Sequence, residues 1–274
     1  MFKVEKIDDE NKKRFIECIK SDVIKHVFAF YDVQYDPEHT ATYAAFQENR
    51  LMGYILIYTG ADVPSVILES EEDAAETLIA QAPENHFIMH ATPSLLPLIK
   101  RNLSNAKDYT ENWMLIRKPQ ASFYNSRLVK RLVTGEDAVM LAKLLLQRTD
   151  RPRRMMKKYV EWVTTLPVYG VFKDDVLVSY AGSFIQLPQV WMIGGVYTDP
   201  KHRNKGYALL ATSAVTEEAL RRAEAAALFV RSDNYPAIRV YERIGYRKIG
   251  EKLWIDMGTG LRPRLKRFFQ HFVQ

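Results

Sequence analysis

The stretch GGVYTDPKHRNKGYA, residues 194–208, decides how the rest of the chain is interpreted. The β-rich run Val190–Ile193 precedes it, and apolar residues at helical spacing follow it. Those apolar residues are Leu209, Leu210, Val215, Ala219, Leu220 and Ala223. The pattern predicts a strand, a basic turn and then a helix.

The basic turn between the predicted strand and helix suits an anion. The first N–H groups of a helix lack intrahelical partners and carry the positive end of the macrodipole. Gly206 lets a ligand approach the backbone, and Lys201, Arg203 and Lys205 supply positive charge. The turn has neither the Walker motif nor the dinucleotide-binding fingerprint. A diphosphate site and an ordinary surface turn both stay open at this point.

Length and composition indicate a globular protein. The 274 residues are enough for one large domain or two small ones. The single cysteine, Cys18, excludes an internal disulfide, so a cytoplasmic location is expected. No apolar run reaches the length of a membrane span, and the amphipathic start at Met1–Glu5 does not resemble a signal peptide. Since His and Cys do not cluster, no metal site is predicted.

The charge of the chain is divided unevenly. The whole sequence has 39 Lys and Arg against 33 Asp and Glu, a formal net charge of +6. Residues 1–124 hold 13 of those basic and 19 of those acidic residues, so they carry −6 and the remainder carries +12. The asymmetry predicts that an anionic ligand binds the second half. Nucleic acid is the less favoured ligand, because a cofactor with phosphates needs the same positive field.

The order of elements in the first half returns in the second half. A hairpin is predicted over Thr42–Phe46 and Leu51–Tyr58, and a second over Tyr169–Phe172 and Val176–Phe184. In the second half a helix cap at Thr134–Asp137 precedes the hairpin. Four identities lie at one constant offset of 126 and pair Tyr43 with Tyr169, Phe46 with Phe172, Leu51 with Leu177, and Tyr54 with Tyr180. We interpret this as a duplication.

The two copies differ at the position of the basic turn. The first copy has Glu69-Ser70-Glu71-Glu72-Asp73, with four carboxylates and no glycine. Those charges would repel a diphosphate at a helix N-terminus. The first copy is therefore predicted to be a degenerate lobe that lost the cofactor. Its last strand is predicted at Asn112–Arg117, and Lys118–Ser122 is the predicted linker.

A second motif follows the basic turn. The run Ala226–Val230 predicts a buried strand, and Asn234 caps a short helix that ends at Gly245. The pattern Asn-x-x-Ala-x-x-x-Tyr-Glu-x-x-Gly-Tyr covers residues 234–246. Together with Arg203-x-x-Gly206-x-Ala208, it resembles the two acyl-CoA-binding motifs of the GNAT superfamily of N-acyltransferases.

The resemblance covers residues 126–258 and implies an α/β (α+β) fold. We expect tandem GNAT-like lobes, each a mixed, mostly antiparallel twisted sheet flanked by helices. The expected domains are 1–120, the degenerate lobe, and 125–274, the catalytic domain with a basic tail. The strands 190–198 and 226–230 should diverge and hold the pantetheine arm of acetyl-CoA between them. The implied cofactor-binding residues are Val196, Tyr197, Thr198, Arg203, Asn204, Lys205, Gly206, Tyr207, Ala208 and Asn234.

Tyr241 matches the tyrosine that the resemblance implies as general acid for the departing thiolate. A tyrosine on the inner face of a short helix is otherwise often part of the core. The general base stays unassigned. Counted at strand spacing, Met192, Gly194, Val196 and Thr198 share one face of the first splayed strand, and neither face offers a carboxylate or histidine. Glu161 is a conceivable contributor, and His202 is interpreted as a surface charge.

Two further basic segments are open to more than one interpretation. Residues 151–158 hold the densest basic cluster and suit either an acidic acceptor or a solvated helix start. The tail Arg262–Phe269 joins charges to aromatic residues and suits RNA, a membrane face or docking on its own domain.

We therefore expect an N-acetyltransferase that transfers acetyl from acetyl-CoA directly to an amine in a ternary complex. The expected partners are acyl-CoA and a small-molecule or peptide amine. No membrane partner is expected, nucleic acid is the less favoured partner, and a homodimer stays open. Two alternatives remain at this stage. One is a glycine or amino-acid N-acyltransferase-like enzyme, and the other is a binding module for acyl-CoA or nucleic acid without turnover.

Overall fold

A computed structural model describes residues 2–61, 63–84, 86–103, 107–148, 160 and 164–258. The chain forms two compact units. The first unit comprises Met1–Glu111 and Glu251–Gln274, and the second comprises Asn112–Gly250. The predicted division into lobes of 1–120 and 125–274 stays a prediction.

The first half of the chain contributes six strands and four helices. The strands are β1 Lys3–Lys6, β2 Thr40–Gln47, β3 Arg50–Tyr58, β4 Ser65–Ser70, β5 Ile88–Ala91 and β6 Lys107–Arg117. The helices are α1 Lys12–Ile19, α2 Val27–Tyr35, α3 Glu72–Ile79 and α4 Leu96–Asn102.

The second half contributes six more strands and three more described helices. The strands are β7 Val129–Arg131, β8 Val168–Lys173, β9 Val176–Gln186, β10 Val190–Thr198, β11 Ala225–Arg231 and β12 Arg247–Asp256. The helices are α5 Gly135–Leu145, α6 Tyr207–Arg222 and α7 Tyr235–Ile244. The predicted cap of α5 is confirmed, because Thr134 and Asp137 form a capping box with two hydrogen bonds of 3.0 Å.

The hairpins of the two units have the same register, which confirms the repeat. Phe46 pairs with Leu51 in the first hairpin, and Phe172 pairs with Leu177 in the second. Each hairpin has a β-bulge immediately before that phenylalanine. A bulge adds one residue to one strand and is a specific feature of a sheet, so its return at the same offset reflects a common architecture.

Each unit has the same strand order. The order is β1-β2-β3-β4-β5 in the first unit and β7-β8-β9-β10-β11 in the second. Only β4 with β5 and β10 with β11 are parallel among the strand pairs described here. The tandem, mostly antiparallel α/β fold expected from the sequence is confirmed.

The last strand of each sheet comes from the other half of the chain. Residues 112–117 are confirmed as a strand, but their predicted place in the first copy is wrong, since they lie in the second unit beside β11. The corresponding place beside β5 is taken by Leu253–Asp256 of β12. The open edge of β5 presents N–H and C=O groups that any strand of suitable length can pair with, so local sequence does not decide which strand fills it.

Each sheet is covered on both faces by helices. In the first unit, Ile55 and Ile57 of β3 pack with α3, while Tyr54 and Leu56 pack with α1 and α2. This alternation follows from the two-residue period of a strand. In the second unit, α6 and α7 share one apolar cluster, and α5 contributes to another. No helix in the described part of the chain has the length and apolarity needed to cross a membrane.

Candidate active site

The strands β10 and β11 separate after a short parallel ladder. Their paired residues are Val190–Met192 with Ala225–Ala227, after which β10 continues to Thr198 and β11 to Arg231. In the first unit, by contrast, the whole of β5 pairs with β4, from Ile88 to Ala91. In the second unit both central strands therefore continue past their ladder and leave a cleft between them, whereas in the first unit β5 ends with its ladder and only β4 continues, to Ser70.

A β-bulge interrupts β10 beside this cleft. Between the pairs Gly194–Gly182 and Tyr197–Tyr180, β10 has one residue more than β9, and Gly195 has a φ of 68°. Glycine adopts this positive φ without steric cost. The bulge breaks the pairing of β10 and leaves a backbone group without a partner strand.

The bulge corrects the predicted alternation of side chains along β10. Ile193 and Val196 pack against the same apolar cluster, although strict alternation assigned them to opposite faces. Tyr197 packs against the other cluster. One inserted residue reverses every later side chain of a strand, which is the physical reason for the error. The adjacent Gly194 and Gly195 were the sequence signal for the bulge.

Hydrogen bonds fix the end of β10. The Ser179 hydroxyl donates to the Tyr197 carbonyl at 3.1 Å and lies 2.8 Å from the Thr198 hydroxyl. The N–H of Asp199 donates to the Val178 carbonyl at 2.9 Å. Ser179 is fully buried, so these bonds are protected from water. Ser179 is not predictable from the sequence, because a serine in a strand has no distinctive pattern.

The basic turn has a defined backbone conformation. The Asp199 carboxylate accepts from the Lys201 N–H at 3.0 Å and lies 3.1 Å from the His202 ring nitrogen. Asn204 and Gly206 have φ values of 63° and 79°. A Cβ added at Gly206 would meet nothing within 4 Å, so glycine is required here by the backbone conformation and not by crowding. The space beside Gly206 is open to a ligand.

The N-terminus of α6 is exposed to solvent at the end of the turn. Gly206 is the N-cap residue, and no described side chain caps the helix. The Leu210 N–H bonds the Gly206 carbonyl, so the N–H groups of Tyr207 and Ala208 come too early in the helix for an intrahelical partner. Arg203 and Lys205 are exposed on the same turn. The predicted diphosphate-binding residues therefore form one exposed, positively charged surface.

Asn234 and Gly245 define the ends of α7. The Asn234 side chain accepts from the Ala237 N–H at 3.4 Å, so the predicted helix cap is confirmed. Gly245 ends the helix with a φ of 115°, and a Cβ there would lie 2.0 Å from the Gln120 carbonyl oxygen. Only glycine fits this position. The Asn234 side chain is exposed at the start of the helix.

Tyr241 lies on the inner face of α7, and 6% of its surface is exposed. Its ring contacts that of Tyr246 edge-on, with 6.1 Å between the centroids. Burial raises the pKa of Tyr241 well above its ordinary value. The Tyr246 hydroxyl lies 2.8 Å from the Thr216 hydroxyl, whereas the Tyr241 hydroxyl has no hydrogen-bond partner among the described residues. The phenol of Tyr241 is therefore protonated at neutral pH, and its O–H group donates to no described residue.

The other candidates from the sequence are less informative. His202 is held by Asp199, in agreement with a structural role on the surface. Glu161, the basic cluster at 151–158 and the tail at 262–269 lie outside the described residues. Among the residues that the structure describes, no group of three or more His, Cys, Asp or Glu side chains is arranged to hold a metal ion. The general base is not assigned by the structure.

Comparison with known proteins identifies the architecture. Residues 168–255 match the family described as FR47-like protein. A Drosophila protein of known structure aligns with a TM-score of 0.70 at 15% identity, covering 92% of this chain and 97% of the other. A tandem GNAT protein from the clavulanic acid biosynthesis pathway aligns with a TM-score of 0.60 at 14% identity, covering 95% and 100%. The chain has the tandem GNAT fold.

A further solved structure matches part of this chain. It is described as a putative acetyltransferase of the GNAT family from Novosphingobium aromaticivorans, with a TM-score of 0.56, 20% identity and coverage of 73% of this chain and 86% of the other. No curated protein matches the sequence. The FR47-like segment of the tandem GNAT chain contains β10, the basic turn, α6 and α7, so the family match and the cleft coincide.

Proposed function

We propose that the chain is an acyl-CoA-dependent N-acyltransferase whose active site is the cleft of the second unit. The observation that carries this proposal is the cleft itself. Two parallel strands diverge there, one has a bulge beside the gap, and an uncapped helix N-terminus with exposed basic residues follows the same strand. The descriptions of the solved structures with this fold favour acetyl as the group transferred.

The donor would bind along β10 and the turn after it. The N–H groups of residues 203–208 and the side chains of Arg203 and Lys205 suit the diphosphate of coenzyme A. The backbone of Val196–Thr198, which leaves its partner strand, suits the amide groups of the pantetheine arm. Asn234 lies at the exposed start of α7, the helix that follows β11. It is the proposed second contact to pantetheine.

The reaction would proceed by direct attack of an amine on the thioester. A neutral amine adds to the carbonyl carbon, and the oxyanion accepts a hydrogen bond from a backbone N–H freed by the bulge near Val196. The C–S bond then breaks, the Tyr241 hydroxyl gives its proton to the departing thiolate, and the amine loses a proton to water or to an unassigned base. A raised pKa makes the phenol a weaker acid, so the transfer depends on the same apolar surroundings raising the pKa of the departing thiol as well. The proton lost by the amine then restores the phenol through water or the unassigned base.

The donor site is tested by charge reversal in the turn. We expect Arg203→Glu and Lys205→Glu each to weaken coenzyme A binding by about tenfold, because one favourable phosphate contact becomes a repulsion. Arg127→Glu is the matched control, since this exposed arginine lies beside Ala214 and Arg221, in the middle and at the end of the same helix α6. Calorimetric titration with coenzyme A measures all three variants.

The outcomes separate the enzyme from a binding module. Equal weakening in the control would mean that general charge, and not the turn, holds the cofactor. Binding of acetyl-CoA without release of free coenzyme A over a broad panel of amines would refute the enzymatic proposal and favour a sensor. Loss of binding confined to the turn, together with amine-dependent release, supports it.

A further inference from the structure

A buried carboxylate without a partner among the described residues lies in the first unit, near the end of α2. Asp32 is buried, with 8% of its surface exposed. Its backbone carbonyl accepts from Thr40 and from the Asp36 N–H, but its carboxylate has no hydrogen bond or ion pair among the described residues. Its carboxylate oxygens keep a small exposure to solvent.

A second carboxylate stands next to this one. Asp36, one helical turn later, accepts from the Tyr58 hydroxyl at 2.8 Å and lies 2.6 Å from the His39 ring. Burial, followed by the charge of Asp36, raises the pKa of Asp32 to about 7. His39 contacts Asp36 and not Asp32, so no described cation lies against Asp32 itself. Two neighbouring carboxylates, one buried and unpaired, favour a bound cation.

Tyrosine side chains lie near the two carboxylates. Tyr31 and Tyr35 stand together on α2 with 5.3 Å between their ring centroids, and Tyr58 approaches from β3. Burial and the charges of Asp32 and Asp36 raise the pKa of Tyr31 and of Tyr58, and the Tyr58 hydroxyl donates directly to Asp36. Tyr54 of β3 is also within electrostatic range of Asp32. Electron-rich ring faces attract organic cations.

We propose that Asp32 and Asp36, walled by Tyr31 and Tyr58, form a binding site for a primary alkylammonium ion. The two carboxylates would accept the N–H groups of the ammonium, and the tyrosine rings would cover its alkyl chain. A metal ion is the less suitable occupant, because it needs several oxygen or nitrogen ligands and the described residues provide no such group. The site does not depend on the proposed acyl transfer.

The test is a calorimetric titration of the full chain with n-butylammonium chloride in the absence of acyl-CoA. We expect saturable binding that tightens between about pH 6 and about pH 8, since Asp32 must lose its proton first. Asp32→Asn should weaken binding at least tenfold and remove this pH dependence. Glu38→Gln is the matched control, because it removes one exposed carboxylate two residues from Asp36 and should leave binding unchanged.

Three results would overturn the site. Asp32→Asn could bind n-butylammonium as tightly as the wild type does, or the wild type could show no saturable binding. The wild type could also respond to magnesium chloride or to n-butanol as strongly as to n-butylammonium. Tyr58→Phe gives an independent variant, since it keeps the ring and removes only the hydroxyl that holds Asp36. If Tyr58→Phe binds n-butylammonium more weakly with an unchanged pH dependence, the site at Asp32 and Asp36 is supported. If Tyr58→Phe binds it as tightly as the wild type does, the role of Asp36 is contradicted. Circular dichroism verifies that each variant is folded.

Discussion

Replacement of Tyr241 by phenylalanine should lower the turnover number for acyl transfer by about 100-fold or more, the range expected for a lost general acid. The proton that neutralises the departing thiolate would then have to come from water. Because burial raises the pKa of Tyr241 well above its ordinary value, the phenol stays protonated across the neutral range. The loss should therefore be the same from about pH 6 to about pH 9. Steady-state kinetics at saturating acetyl-CoA measures it.

Tyr246→Phe is the matched control for this experiment. Both rings are buried and in contact, but the Tyr246 hydroxyl already bonds Thr216. Its removal should cost about 1–3 kcal/mol of unfolding free energy, because Thr216 is left without its partner, and turnover should hardly change. Tyr241→Phe should do the opposite, since its hydroxyl bonds no described residue. Unchanged turnover in Tyr241→Phe would show that the general-acid assignment is wrong.

Much of the fold was predictable because its signals are local. The hairpin repeat follows from alternating apolar residues and turn residues, and the structure gives both hairpins the same register. The ends of α6 and α7 were also predictable, since Gly206, Asn234 and Gly245 each occupy a backbone position that few residue types tolerate. The site in the second unit was found through those three residues.

The rest depends on interactions that sequence pattern does not encode. The strand beside β5 comes from β12, 160 or more residues later in the chain, and no local propensity selects it. Strict alternation failed in β10 because one bulge at Gly195 reverses the faces. Asp32 lies in the apolar run of α2, where the pattern gives no indication that its carboxylate is buried without a partner. Such features follow from packing between elements distant in sequence.

The position that separates the two copies most clearly is occupied by a buried ion pair. In the sheet register Glu69 lies opposite Tyr54, as Tyr197 lies opposite Tyr180, so Glu69 corresponds to Tyr197, just after the bulge of the second copy. Glu69 pairs with Lys252, and their side chains are only 9% and 10% exposed. Thr92 donates a further hydrogen bond of 3.3 Å to Glu69. The first unit thus has a carboxylate with its own cation at this place, and β4 pairs with β3 without the bulge found in β10.

Lys252→Met should consequently lower the free energy of unfolding by about 3–5 kcal/mol, because Glu69 stays buried with only a hydroxyl to bind. The double variant Glu69→Gln with Lys252→Met should recover most of that loss, since it removes both charges. Arg50→Met is the exposed counterpart: its pair with Glu71 is 65% and 46% exposed, so the cost should stay below about 1 kcal/mol. Urea unfolding of the full chain measures all three. Additive losses in the double variant would mean that the two charges do not stabilise each other.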